Sequence, residues 1–158
     1  MADDTPRQYL TFSLGNECFA LESLIVSEVM DVPHITRVPL APGFLCGVVN
    51  LRGNAATVVD LRRKLELPGE DAPAASCLIV LERDFDGEQI AVAALADAVH
   101  EVAEITPADI LPTPDMGLSV PSRFVCGLAH MGDGIVMLLD PDRLFSLEEL
   151  TEGHGRSA

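Results

Sequence analysis

The chain has 158 residues, of which 48% are apolar and 22% charged, the composition of an ordinary globular protein of one domain or two small lobes. Asp and Glu number 25 against 10 Lys and Arg, so the formal net charge at pH 7 is −15. This charge opposes binding to DNA, RNA or anionic lipid, because their phosphates attract a basic protein face. Aromatic residues make up only 4% and Trp is absent, which also argues against a surface that stacks nucleotide bases.

The cysteines and the first residues of the sequence indicate the compartment. The four cysteines form no C-x-x-C pair, and the acidic start lacks the basic and then apolar profile of a signal peptide. No apolar run reaches the roughly 18 residues that a membrane span requires. We therefore expect a cytoplasmic protein without membrane insertion, whose cysteines are reduced and packed as small core residues.

Short runs of apolar and β-branched residues, separated by Gly, Asn and Asp pairs, predict four β-hairpins. In chain order the paired strands are 9–14 with 18–21, 44–51 with 55–59, 77–81 with 89–93, and 124–131 with 135–139. The second of these hairpins is expected to turn at Gly53-Asn54. Four hairpins in so short a chain indicate a mainly β protein.

Helical signals are few and short. Asp60 is a typical N-cap for a short helix that Pro68-Gly69 should stop. Asp140, followed by proline, predicts a C-terminal helix that continues to Leu150. The segment 22–27 is compatible with one turn of helix, although its β-branched residues weaken this interpretation.

An internal repeat divides the sequence into two related halves. Residues 44–65 align without a gap with residues 124–145, at a constant offset of 80 positions (124 − 44 = 80). A weaker match relates Ala20 to Ala91, at an offset of 71 (91 − 20 = 71). Each half is therefore expected to hold two hairpins and a connector, about the content of a small five-stranded barrel.

The repeat also predicts the domain organisation. We expect a single domain over 9–150 made of two lobes, about 9–67 and about 77–140, with the C-terminal helix packing back on the first lobe. The Pro-, Ala- and acid-rich segment 67–76 is the expected boundary. Flexible tails are expected at 1–8 and 151–158.

Catalytic motifs such as G-x-S-x-G, a P-loop or H-E-x-x-H do not occur in the sequence. Cys126 and His130 are a candidate nucleophile and base, so a small cysteine-dependent enzyme is an alternative of another class. The repeat favours a packing role instead, because Cys46 occupies the position of Cys126 while Asn50 replaces His130. The acidic residues around Gly87 lack the final Glu of a calcium loop, so no metal site is expected.

Arg52 is conspicuous because Gly132 occupies its position in the second half of the repeat. A position that is equal in both halves most simply serves the shared fold, whereas one that differs is free to serve a partner. Arginine is enriched at protein interfaces, and this chain has few cations. Glu28 lies in an otherwise apolar segment and is a candidate ion-pair partner for Arg52. The alternative for both residues is a solvated surface charge.

Several sequence motifs, in their order along the chain, resemble the CheW domain family. They are 20–29 (ALESLIVSEV), 35–39 (ITRVP), 44–53 (FLCGVVNLRG), 58–62 (VVDLR), 95–99 (LADAV), 110–114 (ILPTP) and 124–127 (FVCG). The resemblance extends over about 9–150, and N-L-R-G followed by V-V-D-L within the repeat is its most specific part. The chain departs from the family pattern at 54–57, where N-A-A-T replaces an apolar stretch and a proline.

The resemblance implies two SH3-like five-stranded β-barrel lobes with short connecting helices and a C-terminal helix. It implies a non-catalytic adaptor, without a cofactor, that couples chemoreceptors to the CheA histidine kinase in bacterial chemosensory signal transduction. The alternative within the family is an adaptor of a pilus, twitching-motility or other non-flagellar pathway. Such an adaptor is cytoplasmic and is recruited to membrane-associated receptor arrays.

The resemblance also implies two partners and one site. One lobe would dock on the regulatory domain of the kinase, and the groove between the lobes would receive the signalling tip of a methyl-accepting chemoreceptor. The tip is a helical hairpin, and a helix in an apolar groove is a recurring recognition mode. By motif match, the groove residues are Val26, Glu28, Val29, Arg52, Gly53 and Val99.

Overall fold

The computed structural model describes residues 5–33, 35–36, 45–67, 77–85, 87–114, 117–132 and 134–145. The strands in these ranges are β1 (Arg7–Leu14), β2 (Glu17–Glu22), β3 (Val26–Asp31), β4 (Leu45–Leu51), β5 (Asn54–Asp60), β6 (Cys77–Phe85), β7 (Glu88–Ala96), β8 (Ala98–Ile105), β9 (Val125–Met131) and β10 (Gly134–Leu139). The short helices are α1 (Leu61–Lys64) and α2 (Pro141–Leu144), with 3-10 turns at Ser23–Ile25, Pro107–Asp109 and Ser122–Phe124.

All four predicted hairpins are confirmed: β1 with β2, β4 with β5, β6 with β7, and β9 with β10 are antiparallel pairs. The turn predicted at Gly53-Asn54 is wrong by one residue. Leu51 pairs directly with Asn54, so the two turn residues are Arg52 and Gly53.

Both predicted helices begin where the sequence indicates. The side chains of Asp60 and Asp140 accept hydrogen bonds, each 3.0 Å long, from the backbone N–H of Arg62 and Asp142, and thereby cap α1 and α2. The predicted extension of the second helix to Leu150 lies outside the described residues, as does the predicted tail 151–158.

Two local predictions are wrong, and the strands β3 and β8 were not predicted. A 3-10 turn replaces the helix considered over 22–27, and β3 begins at Val26, as its β-branched side chain favours. The tail predicted over 1–8 is wrong for Arg7 and Gln8, which belong to β1 and pair with β8.

The strands form two five-stranded sheets. The first sheet has the order β8-β1-β2-β10-β9 and the second has the order β3-β6-β7-β5-β4. In each sheet, the chain that leaves one edge strand forms an isolated β-bridge with the edge strand at the other end. After β3, Thr36 bridges to Val48 of β4, and after β8, Leu111 bridges to Leu128 of β9. The predicted mainly β fold of two five-stranded lobes is therefore confirmed, whereas closure of each sheet into an SH3-like barrel stays a prediction.

The lobes are not the two halves of the sequence, so their predicted limits, 9–67 and 77–140, are wrong. The first sheet combines β1 and β2 with β8 to β10, and the second combines β3 to β5 with β6 and β7. Two parallel pairs, β2 with β10 and β5 with β7, make these connections. A repeat fixes which strands are equivalent but not which copies pair, so the sequence could not reveal this exchange.

The parallel pairs also define which residues are structurally equivalent. Ala20 pairs with Leu138, and Ala93 pairs with Val58, the repeat partner of Leu138 (138 − 58 = 80). The offset for β2 and β7 is therefore 73 (93 − 20 = 73) and not the predicted 71. Because strand residues alternate with a period of two, a shift of two leaves the same faces buried, which is why the sequence did not reveal the error.

Both faces of each sheet are buried at the centre. On β7, Val92, Ala94 and Ala96 belong to a core that both sheets share, whereas Ala93 and Leu95 belong to a smaller cluster of the second sheet alone. The first sheet has its own smaller cluster, around Ala20, Val136 and Leu138. Burial on both faces explains why these strands read as continuous apolar runs rather than as alternating ones.

Cys46 and Cys126 occupy equivalent β-bulges. In each case the register shifts at the cysteine, between Leu45 and Gly47 in β4 and between Val125 and Gly127 in β9. A β-bulge bends its strand and allows another segment to approach. Next to the second bulge, Leu111 and Leu128 exchange two backbone hydrogen bonds, 2.7 and 3.0 Å long.

Replacing Gly127 by alanine is expected to lower the free energy of unfolding by about 1–3 kcal/mol, the usual loss from overpacking. An added Cβ would overlap Cγ2 of Ile110 and lie 3.3 Å from the carbonyl oxygen of Leu111, whose hydrogen bonds it would disturb. Urea unfolding measures the change. Gly134→Ala is the matched control, because its Cβ would meet only Met131 O at an ordinary 3.9 Å. Equal midpoints for the two variants would contradict the prediction.

Candidate functional site

The candidate groove residues Val26, Glu28 and Val29 lie on β3, an edge strand of the second sheet. Val26 pairs with Leu81 and Val29 pairs with Ile79, and both partners belong to the core shared by the sheets. Directly paired residues project from the same face of a sheet. The two valines therefore face the junction between the sheets.

Val99 occupies the equivalent position on the other sheet. It lies on β8, an edge strand of the first sheet, and pairs with Phe12 in the shared core. Val26 and Val99 are both partly buried against that core, and Val29 is exposed. The equivalence of Val26 and Val99 follows the offset of 73 (99 − 26 = 73). The junction between the sheets is thus bordered by valines from the edge strands β3 and β8.

Arg52 and Glu28 form an ion pair between Nη2 of the guanidinium and Oε2 of the carboxylate. Glu28 lies on β3 and Arg52 lies in the turn after β4, so the pair joins elements at the two ends of the strand order of the second sheet. The ion pair considered from the sequence is therefore present. Glu28 pairs with Val80 and is the neighbour of Val29 on β3. Because successive side chains of a strand point to opposite faces, the Glu28 side chain lies on the face of β3 opposite to that of Val29.

The backbone of the turn is unusual for an arginine. Arg52 has φ of +52° and Gly53 has φ of +85°, the two positive values that a type I′ hairpin turn requires. Asn50 Oδ1 stabilises the turn by accepting a hydrogen bond of 2.9 Å from Gly53 N. In the equivalent turn, Gly132 has φ of +58° at the position of Arg52. Glycine fits this conformation better, so turn geometry does not account for the arginine.

Stability does not account for Arg52 either. Its side chain is 76% exposed despite the ion pair with Glu28. Exposed ion pairs contribute about 0–1 kcal/mol to folding, and a non-glycine residue at positive φ has an unfavourable backbone conformation. The guanidinium thus presents planar hydrogen-bond donors to solvent, which is what recognition of a partner uses.

The structure brings five of the six predicted site residues to one part of the molecule, namely the edge strand β3 and the adjoining turn. Val99 lies on the other sheet and faces the same junction. One exposed residue with the same placement was missed: Val102 is equivalent to Val29 (102 − 29 = 73), pairs with Leu10 of the shared core and is exposed. The correct offset of 73 would have revealed it.

The alternative of a Cys126–His130 nucleophilic pair does not fit the structure. Both residues lie on β9, four positions apart, which corresponds to about 13 Å along a strand. A base must lie within about 3 Å of the thiol that it activates. Instead, Cys126 Sγ donates a weak hydrogen bond of 3.4 Å to Leu138 O. Burial, followed by the charge of Asp140, raises the pKa of the Cys126 thiol, which disfavours the reactive thiolate.

We expect slow labelling of the native protein by a disulfide reagent such as DTNB at pH 7. The thiolate is the reactive form, and the raised pKa of Cys126 keeps its population low. The expectation that the cysteines are core residues is wrong, because Cys126 is exposed and Cys18, Cys46 and Cys77 are only partly buried. Slow labelling of Cys126 would therefore reflect its low thiolate population and not a lack of access. Labelling after denaturation gives the reference rate. A thiol that reacts in the native protein faster than in the denatured chain would revive the cysteine-enzyme alternative.

Among the residues that the structure describes, no group of three or more His, Cys, Asp or Glu side chains is placed to hold a metal ion. None of the helices found there has the length and apolar character needed to cross a membrane.

A mainly β molecule whose exposed arginine and valines lie at the edges of two packed sheets is typical of a protein-interaction module. The comparisons with known proteins identify the kind of module. The CheW-like domain profile matches residues 8–149 of the chain. The chain therefore belongs to the CheW family.

Relatives and a solved structure agree with this assignment. The chain is 32% identical to the chemotaxis protein CheW of Klebsiella aerogenes over 91% of its own length and 84% of that protein. It is 31% identical to the chemotaxis protein CheW of Helicobacter pylori, over 84% and 77% of the two chains. The crystal structure of the scaffolding protein TtCheW from Thermoanaerobacter tengcongensis superimposes with a TM-score of 0.79 at 29% identity, covering 91% of this chain and 95% of that one.

Proposed function

We propose that the chain is a non-catalytic adaptor that couples chemoreceptors to a CheA-type histidine kinase. The observation that carries the proposal is the family match over residues 8–149, nearly the whole chain. The similarity to a protein described as a scaffold supports the same role. The adaptor acts in the cytoplasm, where it joins membrane-associated receptor arrays.

The receptor tip binds at the junction between the two sheets, beside β3. Val26, Val29 and Val99 supply apolar contact area, because all three project toward the junction. Glu28 on β3 and its ion-pair partner Arg52 in the turn after β4 lie beside these valines and orient the helical tip through polar contacts. An apolar groove with a few fixed polar groups is how folded domains commonly hold an amphipathic helix.

Each contact of such an adaptor can be weak. When one molecule holds a receptor and a kinase domain together, the second binding event occurs at a high effective concentration. The net charge of −15 is compatible with this role because it disfavours polyanions and leaves protein partners as candidates.

The proposal is tested with the purified chain, the regulatory domain of the CheA-type kinase and a receptor signalling fragment from the same organism. The chain is expected to bind each partner separately, and to increase the amount of kinase that sediments with membranes containing the receptor. A basic protein unrelated to signalling is the control for nonspecific attraction to the acidic surface. If the chain binds neither the kinase domain nor the receptor fragment, the proposal is refuted.

A further inference from the structure

A single residue, Asp97, connects β7 of the second sheet to β8 of the first. Its backbone N–H donates a hydrogen bond of 3.1 Å to Ser13 O in β1. Its carboxylate accepts one of 2.6 Å from Gly15 N, in the turn between β1 and β2. The connection between the sheets is thus held to the first sheet at two points.

The same carboxylate is held to the second sheet by Arg62, which lies in α1, directly after β5. Arg62 Nη2 donates to Asp97 Oδ2 at 2.5 Å and Arg62 Nε donates to Oδ1 at 3.2 Å, a two-point contact between planar groups. The side chains are only 19% and 25% exposed, so this pair is better protected from water than the Arg52–Glu28 pair. We call the set of Arg62, Asp97 and Gly15 the crossing clamp.

The charge state of Asp97 fits this arrangement. Burial by itself raises the pKa of the carboxyl group, but hydrogen bonds from Arg62 and Gly15 and the charge of Arg62 outweigh it, so the pKa is lowered. Asp97 is therefore ionised at neutral pH, as a charge-assisted contact with arginine requires.

The second connection between the sheets is accompanied by a different contact. It runs from β2 to β3 through the 3-10 turn Ser23–Ile25. The equivalent of Asp97 is Leu24 (97 − 73 = 24), which is 88% exposed, and the equivalent of Arg62 is Asp142 (142 − 80 = 62). Asp142 instead forms an ion pair with Arg83 of β6, so an arginine–aspartate contact with exchanged charges joins the sheets here as well. The Asp142 side chain is 80% exposed, so only in the crossing clamp are both partners largely protected from water.

The crossing clamp lies next to the candidate groove. Val99 is two residues beyond Asp97 and, like Val26, is partly buried against the core that the two sheets share. We propose that Arg62 and Asp97 are positioning residues for the receptor tip, because their contact fixes the orientation of the two sheets and hence the position of Val99 relative to Val26. This inference rests on the proposed function of receptor binding.

The test compares Asp97→Asn, Arg62→Lys and the control Glu66→Gln in the full chain. Asp97→Asn is nearly isosteric but loses the charge, whereas Arg62→Lys keeps the charge and loses the two-point contact. Glu66→Gln removes the same charge and an ion pair with Arg123 of 3.1 Å, but both of those side chains are mostly exposed. Receptor-fragment affinity, kinase-domain affinity, unfolding temperature and the NMR methyl shifts of Val26 and Val99 are measured for each variant.

We expect Asp97→Asn to weaken receptor binding about tenfold, within the range over which one site changes the affinity of another. The methyl shifts of Val99 should move, and affinity for the kinase domain should be retained. Arg62→Lys should give a smaller change of the same kind, and Glu66→Gln should behave like the unmodified chain. If Asp97→Asn fails to fold, Arg62→Lys decides the question by the same measurements.

Unchanged receptor affinity together with unmoved methyl shifts would overturn the inference while leaving the proposed function intact. Equal loss of receptor and kinase binding, in proportion to lost stability, would also overturn it, because the clamp would then be only structural. If the unmodified chain does not bind the receptor fragment, the proposed function itself fails, and the unmodified protein alone reveals this.

Discussion

Replacing Arg52 by glycine is expected to weaken binding of a receptor signalling fragment at least about thirtyfold while the fold stays intact. Arginine is enriched among the interface residues whose truncation costs about 2 kcal/mol or more, and 1.4 kcal/mol corresponds to a factor of ten in affinity. Glycine is suited to the turn, because Gly132 adopts the same positive φ in the equivalent hairpin. The variant therefore removes the guanidinium without straining the backbone.

Titration calorimetry with the receptor fragment measures the affinity, and thermal unfolding checks the fold. Arg7→Ala is the matched control, because Arg7 is also an exposed arginine in an ion pair, with Glu22 at 3.6 Å, but lies on β1. Arg52→Ala serves as a second variant, with the same loss of the guanidinium. If the Arg52 variants bind the receptor fragment as tightly as Arg7→Ala does, Arg52 is not part of the receptor site.

The sequence predicted the local structure well where chemistry acts over a few residues. The Gly, Asn and Asp pairs mark hairpin turns, where Gly15 and Gly87 have φ of +61° and +87°, and Asp60 and Asp140 mark helix starts through side-chain capping. The position of Arg52 opposite Gly132 indicated a partner-directed residue, and the structure supplies its ion pair with Glu28. These features depend on neighbours in sequence or on the repeat.

The exchange of hairpins between the two halves depends on distant contacts and was not predictable in the same way. Phe12, Phe19 and Val92 would be buried by pairing within a half or between halves, so hydrophobic pattern alone does not select one topology. The edge strands β3 and β8 were missed for a related reason. Residues 98–105 include His100, Glu101 and Glu104, all exposed, so β8 lacks the apolar run that marks a central strand.

The Phe19→Ala substitution is expected to give the largest loss of stability, about 3–5 kcal/mol, as for other large buried aromatic side chains. Phe19 lies on β2, is fully buried in the shared core, and stacks on Phe12 with ring centroids 6.1 Å apart. Because that core contains side chains from both sheets, we expect both to unfold in a single transition. Total stabilities of small domains are about 5–15 kcal/mol, so this loss is a large fraction.

Urea unfolding combined with amide hydrogen exchange at Ala20 and Ala93 follows the first and second sheets separately. Ile135→Ala is the control, because Ile135 is an exposed apolar residue on β10 of the same sheet, and it should lower stability by less than about 1 kcal/mol. Both amides should lose protection equally in the Phe19→Ala variant. If Ala93 kept its protection while Ala20 lost it, the sheets would be independent lobes. Equal loss would instead show that the exchanged hairpins and the shared core make the sheets one cooperative unit.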